Sequence, residues 1–177
     1  MPRSPASRTD AESRYRDLRR MAFRRAQAVL AADGIAAELR PIDAAALAAF
    51  ATWPPRSVDW PWPKMAADWR RGRPARFDLA IWSDDTLCGL ALGRPAPSAA
   101  HMSLHYLEGN PDPGHPLHFK VLNVVITALE AYATVLGKTE LRLVDPLPEA
   151  ISAYCSPVLG FELVTPRGEA HYCRRSI

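Results

Sequence analysis

The chain has 177 residues, enough for one domain with a modest appendage and too few for two full ones. Its 48% hydrophobic and 23% charged residues exclude a disordered chain, a collagen-like repeat and a disulfide scaffold. The net charge of +3 hides an asymmetry: residues 1–25 hold eight arginines against Asp10, Glu12 and Asp17, whereas the remainder holds 14 basic and 16 acidic residues. The body is therefore near neutral, and the positive surplus sits at the front. No apolar run reaches the ~20 residues that span a bilayer, so no membrane association is expected. The first 16 residues lack an apolar signal core, which argues against export. Cys88, Cys155 and Cys173 are odd in number, far apart and without CxxC spacing. They read as reduced thiols of a cytoplasmic protein, and no metal site is expected.

The front reads as a helix over 12–33. Tyr15, Leu18, Ala22, Ala26 and Val29 form one apolar stripe, while Arg16, Arg20 and Arg24 recur every four residues on another face. Asp33-Gly34 is a helix stop. The Arg line is either a solvated face of a helix packed against the body or a contact for an anionic partner such as nucleic acid or an acidic protein. We divide the chain into this basic extension, 1–34, and a body, 35–177. The body opens with a strand over 35–42, and Asp43 caps the helix that follows. Residues 53–64, WPPRSVDWPWPK, form a stiff apolar loop, because four prolines forbid regular structure. A helical turn or two over 64–71 precedes strands at 77–82 and 87–93, joined by the polar turn 83–86. A third strand covers 102–107, and a Gly/Pro-rich loop covers 109–116. The longest helix is read over 117–137, with Val121, Val124, Val125, Ala128, Leu129 and Tyr132 on its apolar face. A buried strand over 141–144, a helix over 148–154 and strands over 161–164 and 170–174 close the chain.

This order resembles the GNAT superfamily of acetyl-CoA-dependent N-acetyltransferases over roughly 35–175. The stretch that carries the resemblance is LEAYATVLGKTELRLVDPLPEAISAYCSPVLGFELV. Tyr132-Ala133 and Gly137 look like the end of the family's third helix. Leu141–Val144, Asp145, Ala150, Tyr154 and Gly160-Phe161 look like the strand, polar residue, helix and Gly-Phe that follow it. The hairpin FDLAIWSDDTLCGLALGR looks like the family's second and third strands. The resemblance implies an α+β fold, a GNAT-like central mixed, mostly antiparallel sheet flanked by helices, here with an extra N-terminal helix. It also implies acetyl-CoA as acyl donor. The family's phosphate loop, [Gln/Arg]-x-x-Gly-x-[Gly/Ala], falls on Leu117-His118-Phe119-Lys120-Val121-Leu122, so this loop diverges and lacks both glycines. Its chemistry is a helix N-terminus whose free amides hold pyrophosphate. Leu107, Gly109, Asn110, Gly114, His115, His118, Lys120 and Val121 are the expected CoA contacts, with Lys120 as a point charge for phosphate.

Acetyl transfer to an amine needs a proton acceptor, a partner for the thioester oxygen and a proton donor for the leaving thiolate. Glu108, where the strand opens into the loop, is the candidate base. Tyr154 is the candidate acid, although the family often places this tyrosine four residues before the glycine of Gly-Phe, where this chain has Ser156. The oxygen's partner is expected from backbone N–H in the 107–109 neighbourhood. Trp53, Trp60 and Trp62 in the aromatic loop, with His105 on the strand, are expected to border the acceptor. The alternative reading is a catalytically silent module on the same fold that engages a protein or nucleic-acid partner. The acceptor class stays open: a small-molecule amine, a protein or an aminoacyl-tRNA. The apolar Trp loop and the terminal strands offer surfaces for a homodimer.

Overall fold

A computed structural model describes residues 5–177. Arg3, counted in the basic front, lies outside the described residues. The elements are α1 (Pro5–Ala32), β1 (Glu38–Arg40), α2 (Ala44–Phe50), α3 (Trp62–Gly72), β2 (Phe77–Ser83), β3 (Thr86–Pro95), β4 (His101–Gly109), α4 (Val121–Val135), β5 (Glu140–Val144), α5 (Pro148–Tyr154), β6 (Glu162–Val164) and β7 (Tyr172–Ser176). The strands form one seven-stranded sheet in the order β1-β2-β3-β4-β5-β7-β6. All neighbours are antiparallel except β4 and β5. A parallel pair needs a crossover, and α4 supplies it. The fold is thus α+β with a mixed, mostly antiparallel sheet and an additional N-terminal helix.

Strand alternation builds a core on each face. Leu79 and Ile81 of β2 face one side with Met102, Leu104, Leu141 and the apolar stripe of α4. Ala80 and Trp82 face the other, with Leu90, Leu92, α2 and α3. Every residue of β2 is buried, as expected of a central strand covered on both faces. Asp43 caps α2 as the sequence implies: its Oδ1 accepts from the Ala46 amide at 2.8 Å. Two glycines set the packing distance. A Cβ on Gly93 would stand 2.5 Å from the Ser103 carbonyl oxygen, and one on Gly89 would stand 2.7 Å from Val121 Cγ1. Gly89 therefore lets the start of α4 lie directly on the sheet.

The front helix is built into the main core. Ala22, Phe23, Ala26 and Leu30 are buried with the sheet residues and α4, and Phe23 meets Phe77 edge-on at 5.9 Å. Val29, read as part of the apolar stripe, is instead 53% exposed, because the inward face drifts to Leu30 one turn later. Gly34, at φ +72°, ends the helix, and the Ile35 amide closes on the Leu30 carbonyl at 2.8 Å. Arg19, only 2% exposed, donates to the carbonyls of Pro74 and Arg76 at 2.7 and 3.1 Å. Arg19 and Arg76 share the two oxygens of Glu12 at 3.1 and 2.9 Å, and each places Nε 3.4 Å from the Asp78 carboxylate. Burial pushes the Asp78 carboxyl up against the pull of Arg76 and Arg19. Burial would also raise Glu12, but the same two guanidiniums outweigh it and hold Glu12 below its ordinary range. Arg16, Arg20 and Arg24 lie on the exposed faces of α1, and Arg20 sits 3.7 Å from Asp17.

Several boundaries differ from the sequence reading: α1 begins at Pro5 rather than 12, β1 covers only Glu38–Arg40 of 35–42, and β7 runs Tyr172–Ser176 rather than 170–174. α3 starts at Trp62 rather than 64, with Pro63 in its first turn, where a missing amide costs nothing. α4 starts at Val121 rather than 117, because Phe119 takes φ +63° and breaks the helical path.

Candidate active site

β4 and β5 run parallel only from His101 opposite Glu140 to Leu104 opposite Leu143. Beyond that point they diverge. Opposite β3, Gly93 pairs with Leu104 and Leu92 with Tyr106, so His105 is the extra residue of a β-bulge, which bends the strand. On the other edge, Asp145 takes φ +48°, a left-handed turn that Asp tolerates, and leads the chain away toward α5. The gap is a cleft walled by Trp60, His105, Tyr106, Leu107, Asp145 and Tyr154 among others. Beyond Leu104 the edge of β4 that faces β5 has no partner strand, while the other edge stays paired to β3.

Tyr154 is the last residue of α5. Residues 155–160 form one further turn, in which the Gly160 amide bonds the Ser156 carbonyl at 2.8 Å and the Phe161 amide bonds the Tyr154 carbonyl at 3.3 Å. That turn absorbs the two-residue offset seen in the sequence, so Tyr154 reaches the cleft wall although Ser156 holds the expected position. Its ring packs against the core, and its hydroxyl makes no hydrogen bond to the described residues. Burial, then the neighbouring Cys173, raises its phenol above the ordinary tyrosine range. The group therefore stays protonated at neutral pH and carries a proton with no competing acceptor.

Glu108 does not line the cleft. Its side chain is buried and turned into the aromatic loop. Trp62 Nε1 donates to Oε2 at 2.5 Å, and Arg56 donates to Oε1 and Oε2 at 3.1 and 3.3 Å. Arg56 also lies over the Phe50 ring at 4.4 Å. Both carboxylate oxygens are thus engaged, and the residue read as the base fastens the loop to β4. Sequence reading passed over Arg56, because its partner lies 52 positions away.

The three tryptophans separate. Trp62 is fully buried and belongs to the core, so its ring is closed to an acceptor. Trp60 lines the cleft and meets Tyr106 edge-on at 5.3 Å. Trp53 is half-buried behind it, against Phe50 at 5.2 Å. His105 packs on Trp69 at 5.3 Å, and its Nε2 is buried without a partner. Burial, then Arg94 and Arg73, push its pKa down to about 4, so the ring is neutral at pH 7.

The loop between β4 and α4 holds itself together with residues that had been assigned to CoA. Asn110 donates its amide to the Leu87 carbonyl and accepts from the Asp112 amide, both at 2.9 Å. Asp112 Oδ1 accepts from the Gly114 amide at 2.8 Å. His115 is buried, and its Nδ1 accepts from the Leu117 amide at 3.3 Å. Gly109 and Val121 pack on one another. Lys120 and Phe119 remain exposed at the tip, Phe119 at 94%, with His118 tilted against the Phe119 ring at 3.8 Å. No side chain caps α4, so its first-turn amides are available to an anion. Lys120 has no partner among the described residues. An uncapped helix end, a free ammonium and an adjoining cleft fit the diphosphate and arm of acyl-CoA, although no glycine stands in the loop from 115 to 120. Among the described residues no cluster of His, Cys, Asp or Glu is placed to hold a metal ion.

No protein-family model matches the sequence, and no curated protein is similar to it. Solved structures do match in fold. Ard1 from Thermoplasma volcanium superposes with a TM-score of 0.59 at 13% identity, over 81% of this chain and 99% of that one. A PaiA N-acetyltransferase from Thermoplasma acidophilum, solved with coenzyme A, superposes with a TM-score of 0.55 at 16% identity, over 81% and 100%. The ribosomal-protein-S18-alanine N-acetyltransferase from Escherichia coli gives 0.53 at 17% identity, over 80% and 92%. The fold of this chain is therefore that of the GNAT acetyltransferases.

Proposed function

We propose that the protein is an N-acetyltransferase that moves an acetyl or other short acyl group from acyl-CoA to a primary amine, by direct attack in a ternary complex. The observation that carries this reading is the opening of β4 from β5 beyond Leu104 and Leu143. It forms a cleft with a protonated, unpartnered tyrosine on its wall. A GNAT fold alone does not carry an activity; a site does.

When bound, acyl-CoA supplies the thioester carbonyl. The chain's residues do the rest. The first-turn amides of α4 and Lys120 hold the diphosphate, and the backbone amides on the open edge of β4 within 105–107 are the donors for the carbonyl oxygen. Tyr154 gives its proton to the leaving sulfur. Trp60 and Tyr106 orient the acceptor at the cleft mouth. Asp145 is the one carboxylate of the cleft lining; its exposed side chain receives the amine proton through solvent. Glu108 acts as a positioning residue that keeps Trp62 and the loop behind Trp60 in place. CoA-complexed and peptide-acetylating relatives of this fold support an acyl donor and an amine acceptor in general terms.

The test is thiol release from acetyl-CoA across a panel of primary amines, wild type beside Tyr154→Phe. Amine-dependent release, falling about 100-fold in the variant, is the expected outcome. One observation favours a second reading, a silent binding module: Phe119 is exposed at the loop tip in place of the family's glycine-rich turn. Wild-type protein that binds no acetyl-CoA would select it.

A further inference from the structure

A second cavity lies at the other end of the sheet. It encloses about 600 Å³, within the range of small-molecule sites. Arg73, Arg76, Arg94 and Lys138 line it together with Tyr15 and prolines, and no carboxylate lines it. Arg76 is compensated by Glu12 and Asp78. The other three cations are not. Arg73 lies over the Trp69 ring at 4.7 Å, and neither it nor Arg94 has an acidic partner among the described residues. Lys138 donates to the carbonyls of Ala96 and Ala99, both at 2.7 Å, which fixes its ammonium at the rim without neutralising it.

Like charges gathered around one hollow repel one another unless an anion enters. Guanidinium forks match phosphate oxygens two at a time, and a lysine adds a point charge. Pro74, Pro95 and Pro97 stiffen the walls, so little freedom is lost when a ligand settles. From these features we infer that the cavity binds a small phosphorylated molecule through Arg73, Arg94 and Lys138. The site is distinct from the acyl-donor cleft. Leu136 and Lys138 lie past the C-terminal end of α4 and Lys120 at its start, and a helix of 15 residues is about 22 Å long. One stack of side chains lies between them: Arg73 on Trp69, and Trp69 against His105 in the cleft wall.

Titration of the full-length Lys120→Gln protein, in which the proposed acyl-donor diphosphate site is weakened, with inorganic pyrophosphate at ionic strength matched with sodium chloride tests this. Saturable binding is expected, weakened tenfold or more when Arg94→Gln is added and further when Arg73→Gln is added to that. Arg94 is exposed and has no acidic partner among the described residues, so its variant keeps the fold. Absence of saturable binding at millimolar pyrophosphate would overturn the inference. So would equal binding after Arg94→Gln, or equally tight binding of citrate, which would show that charge rather than phosphate is read. Acetyl-CoA binding, measured in the same variants, reports separately on the cleft.

Discussion

At the residue scale, two side chains with similar promise in the sequence stand in opposite surroundings. Tyr154 has a hydroxyl at a cleft with no hydrogen bond among the described residues; Glu108 has both carboxylate oxygens engaged. Each assignment has its own kinetic signature. Tyr154→Phe should lower kcat about 100-fold with acetyl-CoA affinity unchanged. Because the Tyr154 phenol is raised by burial and by Cys173, its acid form persists to above about pH 10, the ordinary tyrosine value. The wild-type rate should therefore fall only as pH rises past that range, and the fall should be absent from the residual rate of Tyr154→Phe. Glu108→Gln keeps an acceptor for Trp62 but loses the Arg56 charge pair. A positioning residue predicts a raised KM for the amine with kcat within about threefold, whereas a general base predicts collapse of kcat. Glu108→Ala leaves the buried Trp62 N–H without an acceptor, while Arg56 keeps Asp59, and should cost about 1–3 kcal/mol of stability, read by urea unfolding.

At the element scale, the front helix is the departure from a simple division into extension and body. Its Arg surplus reads as an appendage, because charge runs advertise solvent. Its inward residues Ala22 and Ala26 stand in the apolar stripe that the periodicity marks, and Leu30 takes the place expected of Val29; all three are fully buried. Phe23→Ala should destabilise the whole domain by about 3–4 kcal/mol, and a chain starting at residue 35 should lose cooperative thermal unfolding. A truncated chain that melts as sharply as the full one would return α1 to the status of an extension. The sheet strands, α2 and α5 were legible because alternation, the Asp43 cap and the proline and glycine breaks are local signals. The bulge at His105 and the Arg56–Glu108 pair were not, since each depends on partners distant in the chain, and nothing in the residue type of Phe119 announces its positive φ. The same holds for the cleft: Tyr154 and Leu107 could be nominated from the resemblance, but the divergence of β4 from β5 is a property of pairing.

At the scale of the whole molecule, one sheet positions two unlike hollows. Where β4 leaves β5, the parallel pair opens beside the uncapped start of α4. At the other end, where α4 finishes, arginines and a lysine gather without counter-charge. The exposed arginines of α1 add positive field along one side, which raises encounter rates with anionic ligands more than it fixes their identity. The central claim is that the divergent loop still receives acyl-CoA, with Lys120 and helix amides standing where glycines are usual. The most direct measurement is isothermal titration of the full chain with acetyl-CoA and, in parallel, with CoA. One-site binding in the micromolar range is expected for both, reduced several-fold in Lys120→Gln. No binding at millimolar acetyl-CoA by folded protein would contradict the claim.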